Sequence, residues 1–328
     1  MTFDQLVDFL RANDNYLLIS HADPDGDAVG SELGLLEVLG HLGKKASILN
    51  SDACPEKMRV FDPRGDLHSI EDGDSIPEDL AEKTLILLDT ADFHHTRRAK
   101  DVLLPFGQKT IIIDHHTPPA QLPCPAYIDD SAAASCQIVF QVAEAVGAPL
   151  DLVAAKALFM GIVFDTGSFI YPKTTATTFE AARKLVDLGV KPKEIHAALF
   201  ETIEPSKMRL LAGVQATMKI VHDDRTAIQV MTWDLVVESL STPEDAESFI
   251  NYPLKCSTVQ VSLFIKEVKP GFFRCSLRSK GLVDVSTLAL SRGGGGHRTA
   301  AGFPCPDLPL AELEALLLQS VLDLYPKD

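Results

Sequence analysis

Within seven residues, the segment HADPDGDAVGS sets His21, Asp23, Asp25 and Asp27 side by side. Packing that much negative charge into one turn is tolerated in a folded chain only with compensation, which a divalent cation supplies. Read alone, the segment is also compatible with a polar turn rich in Asp, Pro and Gly. Three further segments change the balance. LILLDTAD carries Asp89 and Asp92, IIIDHH carries Asp114, His115 and His116, and the apolar run Ala157 to Phe164 ends at Asp165, followed by Thr166, Gly167 and Ser168. Imidazole and carboxylate without sulfur select borderline-hard divalent ions, Mn(II) ahead of Mg(II), with Zn(II) or Co(II) able to substitute. At least six candidate ligands exceed the need of one ion. They point to two metals sharing a bridging carboxylate, the arrangement used for in-line displacement at phosphorus. His94 and His95 compete for the same role but read as surface residues of the loop after Asp92.

These ligands need a scaffold that brings separate segments to one edge. Short apolar runs at Tyr16 to Ser20, Lys45 to Asn50, Thr84 to Asp89 and Thr110 to Asp114 alternate with helical patterns at Ala28 to Leu42, Ser135 to Val146 and Leu152 to Val163. That alternation predicts an α/β fold whose N-terminal part is a doubly wound, mostly parallel sheet covered by helices. In such a sheet ligands bind at the carboxyl ends of strands, where three of the runs end in acids or histidines. Helical patterns at Thr177 to Leu188, Pro192 to Phe200 and Ser206 to Ile220 predict a connector. Strand patterns return at Thr226 to Thr232, Val259 to Val268 and Phe272 to Arg278, before a glycine run and a last amphipathic helix over Leu310 to Tyr325. The expected organisation is a metal-binding domain over 1–185, a helical connector over 186–222 and a smaller α/β substrate-binding domain over 223–328.

A second constellation lies in the C-terminal part, in SLRSKGLVDVSTLALSRGGGGHRTAAG. The glycines Gly293, Gly294, Gly295 and Gly296 let backbone approach a ligand and turn successive N–H groups toward an anion. A flexible linker is the plainer reading of a glycine run. Against it stand His297 and Arg298, which follow at once, and the small residues Ala300, Ala301 and Gly302, which suit close packing. Arg278, Ser279 and Lys280 end a strand nearby in sequence. The planar guanidinium fork of Arg278 suits bidentate phosphate contact, making it the leading phosphate anchor.

Composition narrows the ligand. The 328 residues include 46 Asp plus Glu against 30 Lys plus Arg, a formal charge of −16, which repels long nucleic acid. Locally the sign reverses: Asn251 to Gly302 holds eight Lys or Arg and two Asp or Glu, a segment charge of +6, leaving −22 on the rest. The six Cys form no CxxC pair and read as free buried thiols. A hydrophobic content of 46% and a mean hydropathy of +0.09 predict a sizeable core and exclude a disordered or fibrous chain. The absence of a basic n-region in MTFDQLVDFL and of any long apolar stretch predicts a soluble, cytoplasmic protein with no membrane partner.

Taken in order, HADPDGD, LLDTAD, DHH, the Asp165 segment, INYPL at Ile250 to Leu254, SLRSK and GGGGHRTAAG resemble the DHH phosphoesterases that carry a DHH-associated C-terminal domain. Within them the chain is most similar to bacterial nano-RNases, oligoribonucleases that also act as 3'-phosphoadenosine 5'-phosphate phosphatases. The resemblance implies two Mn(II) ions. His21, Asp25 and Asp89 would hold one, and Asp27, Asp89, His115 and Asp165 the other, with Asp89 bridging. Asp89, His115 and His116 would serve catalysis, His116 by contacting phosphate or orienting a ligand. Arg278, Ser279, Gly294, Gly295, Gly296, His297 and Arg298 would clamp the substrate. The chain departs from the pattern where His95 stands in place of an expected Arg, with Arg97 and Arg98 following, and where Arg298 replaces a Lys.

The expected activity is a manganese-dependent phosphoesterase acting on short oligoribonucleotides, dinucleotides or nucleotide bisphosphates, with a homodimer among the assemblies the sequence allows. A cyclic-dinucleotide phosphodiesterase shares this chemistry. A RecJ-like exonuclease is disfavoured by the −16 charge, and an inorganic pyrophosphatase or polyphosphatase by a clamp larger than its substrate. A nucleotide-binding regulator without turnover would have lost metal ligands, and none is missing.

Overall fold

The computed structural model describes residues 1–107, 109–305 and 307–326. Two compact units divide the chain, Met1–Thr202 and Ile203–Asp328. The first contains, in order, α1 (Phe3–Ala12), β1 (Tyr16–Ile19), α2 (Gly26–His41), β2 (Ala46–Asn50), β3 (Leu67–Ser69), β4 (Thr84–Leu88), α3 (Ala99–Val102), β5 (Lys109–Asp114), β6 (Ala126–Ile128), α4 (Ser135–Val146), α5 (Leu152–Asp165), α6 (Ala176–Asp187) and α7 (Pro192–Phe200).

Its sheet has the order β3-β2-β1-β4-β5-β6, parallel throughout. Strands buried on both faces read as continuous apolar runs, and β1 and β4 are buried at every position. The order reverses between β1 and β4. That reversal is the switch point at which a doubly wound sheet opens a crevice at its carboxyl edge. β3 and β6 escape the sequence pattern because each contributes only three residues at an edge.

Beneath the crevice α2 packs on α5 and α4. At Gly161 of α5 a Cβ would collide with Cys136 Sγ and reach within 2.9 Å of Asp27 Oδ1, so only glycine lets α5 approach this closely. α6 and α7, expected to belong to a connector, bury Ala181, Ala182, Leu185, Ile195 and Leu199 in the first unit's core. Their apolar stripes find that core locally, so α7 ends the first unit rather than bridging to the second.

The second unit contains α8 (Pro205–Ala216), β7 (Lys219–Val221), β8 (Thr226–Met231), α9 (Trp233–Ser239), β9 (Val261–Lys269), β10 (Phe272–Ser279), α10 (Ser286–Ser291), β11 (Gly295–His297), β12 (Ala300–Pro304) and α11 (Leu310–Leu322). Its sheet order is β11-β12-β10-β9-β8-β7, with β8 and β9 parallel and the other pairs antiparallel. α8 packs Leu210 and Val214 here, against Met231 and Phe264. The glycine run, expected as an open anion-binding loop, is half strand: Gly295, Gly296 and His297 pair with Gly302, Ala301 and Ala300. The small partners on β12 let a near-side-chain-free strand dock closely. All six cysteines are free, and among the described residues no helix is long and apolar enough to cross a membrane.

Candidate metal centre

The carboxyl edge of the first sheet gathers three overlapping groups whose ligand atoms lie within 4.8 Å of one another: His21, Asp25 and Asp89; Asp27, His115 and Asp165; and Asp89, His115 and His116. Asp89 belongs to two of them and stands close to the third, with its Oδ1 3.5 Å from His115 Nε2. Each ligand is delivered by an element end. His21 follows β1, and Asp25 caps α2 by accepting the amides of Asp27 and Ala28 at 2.9 and 3.2 Å. Asp89 follows β4 in a left-handed conformation (φ 60°), an uncommon state for a side-chain-bearing residue that marks a functional constraint. Asp165 is the last residue of α5.

Burial makes the arrangement costly without a cation. Asp27 and Asp89 are 0% and 3% exposed. Burial first, then the neighbouring acids, pushes both carboxyls above their ordinary range. Part of the charge on Asp27 is met by the amino end of α4, where the amides of Ser135 and Cys136 donate to its two oxygens at 2.6 and 2.8 Å. Ser135 also donates its hydroxyl to Asp89 Oδ1 at 3.0 Å. Sequence reasoning passed over Ser135; a serine opening a helix after three alanines is the signal that could have found it.

The histidines show what is lacking. His115 Nδ1 contacts the carbonyl of Ala132 at 3.3 Å and His21 Nδ1 that of Ala22 at 2.8 Å. A carbonyl only accepts, so in each ring Nδ1 holds the hydrogen and Nε2 presents a lone pair. His115 Nε2 then faces Asp165 Oδ2 at 3.0 Å, Asp89 Oδ1 at 3.5 Å and Asp27 Oδ2 at 3.6 Å. Although the first distance is short, its alignment makes no hydrogen bond, and Nε2 is buried without a partner. A lone pair among three carboxylates requires positive charge between them. Burial disfavours an imidazolium, yet Asp165, Asp27 and Asp89 overcome it and push His115 up to about 9; Asp25 and Asp89 likewise push His21 up to about 11. Either a proton or a metal ion must stand there, and the donor set fits a divalent cation.

Asp114 is not among the converging groups around His21 or Asp165. Its buried Oδ1 accepts the amides of His115 and His116 and the Nδ1–H of His116, the last at 2.8 Å. It shapes the turn and leaves His116 Nε2 free. Lys173 reinforces that turn by donating to the carbonyl of His115 at 2.9 Å. Asp23 and Asp92 are also outside the groups: Asp23 pairs with Arg97 at 2.6 Å, and Asp92 caps the turn at His94. A cavity of about 880 Å³ opens beside the centre, lined by His21, Asp25, Asp89, His116 and the exposed His94 and His95, surface residues as expected. Another cavity, of about 600 Å³ beside Arg64 and Asp66, contains none of the converging residues.

In the second unit Arg278 is half-buried and donates to the carbonyl of Leu277 at 3.0 Å. His297 is exposed on β11. Ser279, expected to be a substrate contact, is buried and donates its hydroxyl to the Val283 carbonyl at 2.7 Å, holding the turn after β10. Arg298 pairs with Asp284 at 3.8 Å.

A family model described as "DHH family, N-terminal domain" matches residues 15–162, the span holding the first three ligand segments. Thermus thermophilus has a protein, "Bifunctional oligoribonuclease and PAP phosphatase NrnA", 30% identical over 96% of this chain and 92% of its own length. The chain belongs to the DHH family. It is a phosphoesterase of that metal-dependent family, and thus a hydrolase. The Bacillus subtilis protein of the same description is 27% identical over 95% of this chain and 97% of its own. An exopolyphosphatase-related protein from Bacteroides fragilis shares the fold, with a TM-score of 0.79 at 24% identity, covering 98% of this chain and 95% of that one.

Proposed function

We propose that this DHH phosphoesterase hydrolyses short oligoribonucleotides and dinucleotides to mononucleotides and removes the 3'-phosphate of 3'-phosphoadenosine 5'-phosphate. The observation that carries the reading is the meeting of two ligand groups around Asp89 at the switch point, beside a cavity large enough for a nucleotide. The names of the Thermus and Bacillus relatives support the substrate class.

Two divalent cations, manganese first, would be held by His21, Asp25 and Asp89 and by Asp27, Asp89, His115 and Asp165. When bound, such a pair supplies Lewis acidity to water and to phosphorus for in-line displacement. The chain's own groups do the rest. The Nδ1–H contacts to Ala132 and Ala22 keep both ligand rings in the tautomer that offers Nε2. Asp114 fixes the ring of His116 at the cavity, where it would orient substrate. Arg278, His297 and the glycine strand would bind substrate phosphate; as the sheet's edge, β11 has outward amides not used by β12. Ser279 and Arg298 would hold that surface in shape. The negative surface favours short substrates over long strands, and we place the enzyme in the cytoplasm.

The test is a panel of 5'-phosphorylated RNA dimers to decamers, cyclic dinucleotides, pyrophosphate and 3'-phosphoadenosine 5'-phosphate, each incubated with Mn(II) or with chelator. Release of mononucleotides from RNA dimers with Mn(II) alone is expected. Turnover confined to cyclic dinucleotides or pyrophosphate would refute the reading.

A further inference from the structure

One face of the second sheet carries more positive charge than a single phosphate needs. Strand register lays the side chains of this face in rows. One row runs His297, Ala300, Arg278, Ser262; the next Gly295, Gly302, Ser276, Phe264; the third Pro304, Arg274, Lys266. Successive rows are two residues apart along β10, so all three share the face.

Arg274 and Lys266 stand directly opposite each other, with Cβ atoms expected about 4.5–5.5 Å apart, a placement in which like charges destabilise a sheet. Among the described residues no carboxylate forms an ion pair with Lys266, Arg274 or Arg278. Burial lowers the affinity of Lys266 for its proton, Glu247 opposes that, and Arg274 and Arg278 add to it. The neighbouring Glu267 lies on the other face, where it accepts the amides of Trp233 and Gly271 at 2.7 Å each. Between the charged rows lie Gly302, Ser276 and the buried Phe264, over whose ring the Lys266 ammonium stands at 5.8 Å, so it is on the β12 side, at Gly302, that backbone is within reach of a ligand. In a chain of net charge −16, three cations on one face with no ion-paired carboxylate fit an anion.

We propose that Arg274 and Lys266 form a second phosphate subsite, separate from Arg278, so that the second unit holds two phosphates of one short nucleic-acid strand. Arg274 and Arg278 lie four positions apart along β10, about 13 Å at the strand rise. A dinucleotide engages the Arg278 end, and only a longer oligonucleotide reaches both. The inference rests on the proposed function and extends it to substrate length.

The test compares the Arg274→Gln/Lys266→Gln protein with wild type on 5'-phosphorylated RNA dimer and pentamer under Mn(II), with thermal melting as the fold control. KM for the pentamer should rise about tenfold or more while KM for the dimer stays within about twofold and kcat holds, as expected for losing charge-assisted bonds that only the longer strand makes. In a second arm, fluorescence anisotropy follows labelled pentamer binding in chelator. Removing one phosphate contact should make the slope of log affinity against log salt shallower by about 0.7. Equal losses on both RNAs, or no loss on either with an unchanged salt slope, would overturn the subsite. If wild type cleaves neither RNA, the proposed function falls and the anisotropy slope alone judges the subsite. If wild type cleaves both and the variant matches it, only the subsite falls.

Discussion

The two units handle like charge in opposite ways. In the first, Asp27 and Asp89 are withdrawn from water, and His115 Nε2 is set among three carboxylates with no hydrogen bond. In the second, Lys266, Arg274 and Arg278 share one face without an ion-paired carboxylate; Arg274 is exposed and Lys266 and Arg278 are half-buried. Buried like charges cannot be screened, so their counter-ion is part of the folded structure at all times. Cations that water and salt reach are screened, so their counter-ion can come and go. The first pattern suits a resident cofactor, the second an exchanging substrate.

The largest test of that contrast is at Asp89. Asp89→Ala should abolish binding of both ions and lower the rate at least about 10³-fold, since one side chain serves both groups. Manganese titration followed by electron paramagnetic resonance, with kinetics on an RNA dimer, checks it; more than about a tenth of the rate remaining would break the assignment. On the exchangeable side, Arg278→Ala should lower kcat/KM about 10- to 150-fold, the worth of a charged hydrogen bond of roughly 1.5 to 3 kcal/mol, while metal content is unchanged. Lost manganese in that variant would erase the division between cofactor and substrate regions.

Much of the first unit was legible because its signals are local. Strands buried on both faces are unbroken apolar runs, and Asp89 and His115 lie within a residue of where such runs end. What escaped are contacts that only the tertiary fold creates. Asp114 looked like a ligand beside His115, but accepting two backbone amides at one's own turn leaves no trace in spacing. The exposed His94 and His95 also line the cavity, their segment tied to the one after β1 by the amide of Ala22 donating to the carbonyl of His95 at 2.6 Å, a link across distant segments. The glycine run became a strand since strand pairing depends on the partner, here Gly302 and Ala301, rather than on the glycines' own propensity.

The pH response sharpens the same contrast by a smaller effect. Without metal, His115 is held up to about 9, mainly by Asp165, Asp27 and Asp89 acting against burial. Its contribution to stability is fully present below the ordinary histidine value of about 6.5 and is lost as pH rises through about 9. The raised carboxyls of Asp27 and Asp89 act in the same direction, because ionising them inside the fold is unfavourable. Melting in chelator should therefore fall by about 2–4 °C between pH 6.5 and 9, the response to roughly 1 kcal/mol in a domain of this size. Saturating Mn(II), replacing the proton as counter-ion, should remove or reverse the fall. A chelated protein whose melting temperature rises over that window would show the cluster is not strained without metal.

The smallest expected effect is at Gly295, and it separates shape from ligand contact within the glycine run. At Gly294 a Cβ would collide with the carbonyl oxygen of Gly302, and Gly296 has φ +137°, so alanine at either position disturbs the hairpin itself. Gly295 has neither problem: its φ is ordinary, and nothing lies within 4 Å of a Cβ built there. Gly295→Ala should leave unfolding free energy within about 0.5 kcal/mol of wild type, as for other open surface positions. The added methyl stands on the face shared with Arg278, between the rows of His297 and Arg274. If substrate phosphate approaches the backbone there, the methyl blocks it, and KM for an RNA dimer should rise about three- to tenfold, an effect of roughly 1 kcal/mol, with kcat and manganese content unchanged. An unaltered KM in a protein of unaltered stability would mean that Gly295 serves β11 pairing alone and that phosphate is held by side chains.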